Sequence, residues 1–300
     1  MSSLSKNFSP KVLEERAKSL QEVRAFFEKR GVMEVDTPLL STYAPIDTHI
    51  DLFEVHFSEK EKGYLHSSPE YGMKKLLAEG SGDIYQLGHV FRKDEVGRLH
   101  RPEFTMIEWY RTNGSQTSFL EENLALLSLF LGDQPYEILT YREAFENHLG
   151  IGWDAPREKL LEKANDLKIH DPSDLINILW GCFIEPKLGT EKITIITNYP
   201  KDQAALAQIK TIDGEEVAER FEFYFNGIEL GNGYHELTDP VEQKNRLIKA
   251  NEERVALGKP SLSLDPELIK ALEKGLPDCY GIALGFDRLL MLKLGLNQLF

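Results

Sequence analysis

The sequence has only two cysteines, Cys182 and Cys279, in 300 residues. That excludes a disulfide framework, and their separation excludes a cysteine-based metal site. The N-terminal stretch "MSSLSKNFSPKVLEERAKSL" lacks the apolar core of a secretory signal, so a reducing, cytoplasmic setting is expected. No run of about 18 apolar residues occurs, which excludes a transmembrane helix. Basic residues are also short. The chain has 35 Lys and Arg against 49 Asp and Glu, a net charge of −14. Strong general attraction to nucleic acid is not expected, because phosphate contacts need a basic surface. Internal repeats and low-complexity segments are missing too. What remains is an ordinary globular composition, 41% hydrophobic and 28% charged, long enough for a sizeable core.

Ser9-Pro10 opens a helix with an N-cap and a proline in first position. Leu13, Ala17, Leu20, Val23 and Phe27 give it an apolar stripe, and Gly31 ends it. "VMEVDTPLL" reads as a short extended segment reaching Pro38. Ser68-Pro69 opens a second helix, running through Leu77 and closed by Gly80. Residues 83–92 and 103–111 read as strands. Residues 117–188 read as mostly helical, with Thr140 and Glu143 spaced as a capping box. Residues 191–199, 217–225 and 228–233 return to strands. Cys279 to Leu284 is a last strand, followed by a helix from Gly285. Helices around an antiparallel sheet make an α+β fold. No linker divides the chain. The expected organisation is one catalytic-type domain over 1–300 with a mainly helical insertion at about 115–190.

The stretch "FRKDEVGRLHRPEFTMIEWY" joins two strands by a loop longer than a tight hairpin turn. Arg92 stands at its start, and His100 and Arg101 at its end, just before Phe104. Guanidinium groups suit phosphate, and an aromatic face suits a purine. The loop is either a solvated hairpin tip or a wrap for a nucleotide triphosphate. In the strand that follows, alternation places Phe104, Met106, Glu108 and Tyr110 on one face and Thr105, Ile107 and Trp109 on the other. A glutamate between aromatics needs a partner, because burying a carboxylate alone costs several kcal/mol. That partner is either a structural arginine or a cationic ligand.

"ERFEFYFNGIELGNGYHEL" contains Asn226-Gly227, a two-residue turn signal between strand patterns. The turn predicts pairing of Phe225 with Ile228 and of Tyr224 with Glu229. Glu222 then lies diagonally across the ladder from Glu229 on the same face, with Gly231 and Gly233 sharing it. Either this is an exposed strand face with scattered acids, or two carboxylates converge on magnesium. Asn232, Tyr234 and Glu236 add polar groups nearby, and Glu70 and Glu108 bring the carboxylates to three, enough for a substrate with two amines. In "GIALGFDRLLML", Gly281 and Gly285 flank a strand end, and Arg288 stands in the first turn of an apolar helix.

Taken together, these pieces resemble the class II aminoacyl-tRNA synthetase family. "RGVMEVDTPLL" is similar to its motif 1, "FRKDE" with "RLHRPEF" to motif 2, and "GIALGFDR" to motif 3. "SSPEYGMKKLL", "HRPEFTMIEWY" and "IELGNGYHELTD" resemble the lysyl branch. The resemblance implies an antiparallel sheet flanked by helices and a homodimer. It implies ATP contacts from Arg92, Lys93, Asp94, His100, Arg101, Phe104, Glu229, Leu230, Gly285 and Arg288, with Arg92 and Arg288 catalytic. It implies magnesium on Glu222 and Glu229. It places a lysine-like substrate against Ser68, Pro69, Glu70, Glu108, Tyr110, Asn232, Glu236 and Ala283.

The departures narrow the resemblance further. Only 30 residues precede Gly31, so an anticodon-binding domain is not expected. Ala283 stands where lysyl enzymes have glycine, and Asp94 where motif 2 has glutamate. The chain stops at Phe300, soon after Arg288. The expected lack of that domain, Ala283 and the wording "SPEYGMK" resemble the free-standing lysyl-synthetase paralogues that modify elongation factor P. That likeness implies ATP-dependent activation of (R)-β-lysine, transfer to a lysine of the factor, and no stable tRNA binding. The alternative is a compact ligase activating α-lysine for tRNA or another acceptor. A binding module without chemistry is disfavoured by the presence of Arg92, Arg288, Glu222 and Glu229.

Overall fold

A computed structural model describes residues 9–164 and 174–299. In chain order its elements are α1 (Pro10–Glu28), β1 (Met33–Glu34), β2 (Leu40–Ser41), β3 (Glu54–His56), β4 (Lys62–Leu65), α2 (Glu70–Ala78), β5 (Ile84–Phe91), β6 (Glu103–Thr112) and α3 (Gln116–Leu131). There follow β7 (Tyr136–Thr140), α4 (Tyr141–Leu149), α5 (Arg157–Lys163), α6 (Leu175–Leu179), β8 (Ile193–Pro200), β9 (Ile209–Ile212), β10 (Glu215–Phe225) and β11 (Ile228–His235). The chain closes with α7 (Pro240–Ala256), α8 (Pro266–Lys274), β12 (Cys279–Gly285) and α9 (Phe286–Lys293). The mixture is α+β, as expected. The chain divides into two compact units, Met1–Gly132 with His235–Phe300, and Asp133–Tyr234.

The first unit contains strands in the order β1-β5-β6-β12, and a small second sheet ordered β2-β4-β3. β5, β6 and β12 pair antiparallel, whereas β1 joins β5 in parallel. α1 forms where expected. The Ser9 hydroxyl accepts the Val12 N–H at 3.4 Å, Pro10 fills the first turn, and Gly31 takes φ +68°. Val23, Phe26 and Phe27 bury its inner face, but Leu13 is 47% exposed, so the stripe is narrower than its spacing suggested. Phe27 stacks on Tyr85 at 4.2 Å and meets Trp109 edge-on at 5.3 Å. The Thr105–Ile107–Trp109 face of β6 therefore belongs to the helix-covered core, which frees Glu108 and Tyr110 for the other face.

The second unit carries β11-β10-β8-β7, with β9 also on β10. β7 lies inside the stretch expected to be mostly helical and pairs with β8 in parallel. Part of that expected helical stretch, residues 165–173, lies outside the described residues. The capping box is present: the Thr140 hydroxyl accepts the Glu143 N–H at 3.1 Å, and Glu143 accepts the Thr140 N–H at 2.7 Å. Tyr141 and Trp180 stack at 4.3 Å in an aromatic core that also holds Phe145, Tyr199 and Tyr224.

The hairpin pairs Phe225 with Ile228 and Tyr224 with Glu229, as the Asn226-Gly227 turn predicted. A bulge then shifts the register: Phe223 pairs with Gly231 and skips Leu230. Every later residue of β11 changes face relative to the unbulged ladder. Asn232 comes to lie directly opposite Glu222, on the face of Glu229. Gly231 and Gly233 turn to the opposite, buried face against Phe223 and Phe221, so they do not floor the acids as expected.

Candidate functional site

The first unit gathers Glu70, Lys74, Glu108 and Glu236 around the start of α2. Ser68 turns the chain into that helix. Its hydroxyl accepts the Glu70 N–H at 3.0 Å and donates to Glu108 Oε2 at 2.7 Å. The helix proper starts at Glu70, one residue later than the Ser-Pro signal implied. Glu70 and Lys74 are one turn apart, and their ion pair spans 2.6 Å. Lys74 Nζ also lies 2.7 Å from Glu236 Oε2. Lys74 has no exposed surface and Glu236 has 1%. Burial alone drives Lys74 toward the neutral amine, and the two carboxylates reverse that and hold it protonated. Burial and the neighbouring Glu70 push Glu236 upward against the pull of Lys74.

Glu108 is only 3% exposed. Among the described residues its partners are neutral hydroxyls, those of Ser68 and Tyr110, the latter at 2.8 Å. The structural arginine considered from the sequence is not there. Burial, and then the charge of Glu70, push the Glu108 carboxyl up to about 8. β12 lies opposite: Gly281 faces Tyr110 and Ala283 faces Glu108. A side chain at Gly281 would run into the Tyr110 ring at 2.4 Å and Glu236 Oε1 at 2.5 Å, so glycine is required for the two to approach. Ala283 and Gly285 are the half-buried residues of a strand that is otherwise buried.

The long loop forms the second cluster of this unit. Its start is anchored where the Lys93 N–H donates to the Asp51 carbonyl at 2.7 Å. Arg254, itself buried, holds the Asp47 and Ile50 carbonyls. Arg92 places its guanidinium 5.2 Å from the Phe104 ring centre and 3.9 Å from Glu95, and among the described residues its buried Nε has no hydrogen-bond partner. Lys93 and Asp94 are exposed, and Asp94 takes φ +65°. Arg288 joins from α9. Its Nε donates to the Leu99 carbonyl at 3.4 Å, and its Nη2 donates to His100 Nε2 at 3.0 Å. Burial and the Arg288 charge both lower His100, which keeps the ring neutral and able to accept that bond. Asp287 fixes the start of α9 by accepting the Thr105 N–H at 2.8 Å and pairing with Arg16. Arg101 is turned back onto main-chain carbonyls of Gly97, His100 and Leu299.

In the second unit, Glu222 is 5% exposed. Its Oε1 accepts from Arg220 at 2.5 Å, and its Oε2 accepts from the hydroxyls of Tyr199 and Tyr224. Burial keeps both phenols protonated, and so able to donate. Arg220 also donates to Asn232 Oδ1 at 3.1 Å, and Trp180 donates to Tyr224 at 3.2 Å. Glu229 is half-buried on the same face. Among the described residues no group of three or more His, Cys, Asp or Glu is placed to hold a metal. Two carboxylates on one face still fit magnesium, which takes one or two and fills its shell with phosphate and water. Glu222 would bring to it an orientation already set by Arg220 and the tyrosines.

Sequence reasoning passed over Lys74, Arg220 and the space at Gly281. The four-residue spacing of Glu70 and Lys74 on a helix was the available signal for the first. Nothing local in the sequence marks the bulge at Leu230.

Comparison with known proteins gives the family. The family model described as tRNA synthetases class II (D, K and N) matches residues 2–299. The chain is 44% identical over 295 residues to the elongation factor P--(R)-beta-lysine ligase of Pasteurella multocida, covering 95% of this chain and 91% of the relative. It is 46% identical over 297 residues to the ligase of the same name from Salmonella dublin, with the same coverage. Among the described residues no helix is long and apolar enough to cross a membrane. The chain belongs to the class II tRNA synthetase family, and its relatives at this level of identity are ligases.

Proposed function

We propose that this protein uses ATP to activate (R)-β-lysine as an adenylate and transfers it to a lysine side chain of elongation factor P. The observation that carries the reading is the cluster of buried Glu108 and Glu236 with half-buried Glu70 beside the buried cation Lys74. Buried carboxylates in excess of buried cations are costly, and a ligand with two ammonium groups removes that cost. The shared name of the relatives supports the choice of amino acid and of acceptor.

In the first step a carboxylate oxygen of the amino acid attacks the α-phosphorus of ATP. The new O–P bond forms as the bond to the pyrophosphate oxygen breaks. Arg92 and Arg288 offset the charge that develops on phosphorus oxygens. The unpartnered Nε of Arg92 supports this role, since a buried guanidinium nitrogen calls for an acceptor. His100 orients Arg288 from the neutral side of its ring. Lys93, Asp94 and Arg101 shape the loop, Phe104 offers its ring to the base, and Gly285 and Leu230 offer backbone. Glu222 and Glu229 are the residues that would hold magnesium, which when bound supplies neutralising charge to phosphate. In the second step the neutral ε-amine of the acceptor lysine attacks the adenylate carbonyl. A C–N bond forms, AMP leaves with the C–O bonding pair, and the amine proton passes to solvent.

Ser68 and Tyr110 donate to the Glu108 carboxyl and set it toward the amino acid. The Ala283 methyl opposite Glu108 shapes the pocket for an amine moved by one carbon. A methyl of this kind is worth about 1–3 kcal/mol of discrimination. The protein is assigned to the cytoplasm as a homodimer that does not bind tRNA stably.

Arg92→Ala is expected to lower ATP–pyrophosphate exchange by about 100-fold or more. Exchange at the wild-type rate would remove Arg92 from the chemistry and the reading with it.

A further inference from the structure

Lys74 belongs to no substrate-binding role assigned above, yet it is among the most buried side chains of the molecule, with 0% exposure. It lies 2.6 Å from Glu70 and 2.7 Å from Glu236. A lysine sealed between two carboxylates occupies a place that an incoming ammonium would otherwise take. Glu108, next to them, has the opposite condition. It is buried, its partners are two hydroxyls, and among the described residues no cation pairs with it.

We propose that Lys74 is a built-in ammonium that directs the diamino substrate: by filling the space between Glu70 and Glu236 it leaves Glu108 as the acceptor for an amine, and binding there displaces one proton from Glu108 to solvent. The proposal rests on the diamino-acid reading of this pocket. With all groups ionised, three carboxylates and one ammonium leave two negative charges for two ammonium groups. With the pocket empty, a buried carboxylate that has no cation keeps its proton, because burial raises the Glu108 carboxyl. The charged and titratable groups around it are Glu70 and Lys74 of α2, Tyr110 of β6, and Glu236 beyond β11. His235 and Cys279 lie beside Glu236, and burial holds Cys279 as the thiol. None of them supplies Glu108 with a positive partner. Lys74 is a positioning residue, since it acts through the carboxylates.

The test is calorimetry of (R)-β-lysine and of α-lysine on the wild-type protein at pH 7, repeated in buffers of different ionisation enthalpy. The expected result is release of about one proton per ligand bound, from a group that titrates near 8. Binding with no buffer dependence overturns the proposal while leaving the substrate reading intact. Absence of binding by either diamino acid overturns both. Lys74→Ala supplies a second readout. The KM for the diamino acid should rise at least ten-fold and return toward the wild-type value with added methylammonium. An unchanged KM, or a loss that methylammonium does not reverse, overturns the role of Lys74.

Discussion

Glu108 makes the stability of the ligand-free protein depend on pH in a particular direction. Its carboxyl titrates near 8 when folded and near the ordinary 4.5 when unfolded. Between those values the folded state holds a proton that the unfolded state has lost. The contribution is therefore fully present below about 4.5 and is lost as pH rises through 8, at a slope of at most about 1.4 kcal/mol per pH unit. Glu108→Gln removes this slope. The variant should match wild type in melting temperature at pH 5 and exceed it at pH 8, while its KM for the diamino acid rises. A variant that loses melting temperature at pH 8 would contradict the buried-acid account. Glu108 could be singled out from the sequence because strand alternation put a carboxylate among aromatics. Lys74 could not, because a lysine in a helix is ordinarily exposed. Only the tertiary placement of Glu236 encloses it.

Gly281 ties β12 to the pocket. Gly281→Ala would force its methyl against Tyr110 and Glu236. The expected cost is about 1–3 kcal/mol of stability by urea unfolding, together with weaker amino-acid binding. An alanine variant with unchanged stability and affinity would show that the strand can shift away. Thr140→Ala separates local helix effects from the chemistry. Loss of the α4 capping box should cost about 0.5–2 kcal/mol and leave ATP–pyrophosphate exchange unchanged. These elements were legible for local reasons: Ser9-Pro10, Thr140 with Glu143, and Asn226-Gly227 each fix their own backbone. The bulge at Leu230 was not, because it is set by how β10 and β11 pack and not by a turn residue. Its consequence is large. It exchanges Asn232 for the glycines on the face of Glu222, so a ladder drawn from the turn alone is right for the first two pairs and wrong beyond.

The molecule carries its acidity unevenly in function. A net charge of −14 coexists with a loop that concentrates Arg92, Arg98, His100 and Arg101. Binding of an anionic nucleotide therefore depends on local geometry, such as the Asp51 anchor and the seat of Arg288 on His100. The α+β class and the order of the three motif-like segments were legible because each motif includes its own strand or helix. The partition into two compact units was not, because β7 and β8 pair in parallel across more than fifty residues of intervening chain. The central claim is that the pocket built from Glu70, Lys74, Glu108 and Glu236 serves activation of a β-amino acid for a protein acceptor. It is tested most directly by ATP–pyrophosphate exchange with (R)-β-lysine and with α-lysine, followed by the mass of elongation factor P after incubation with each. The account predicts faster exchange with (R)-β-lysine and a mass gain on the factor equal to one β-lysyl group. Exchange with α-lysine alone, and no gain in mass, would contradict it.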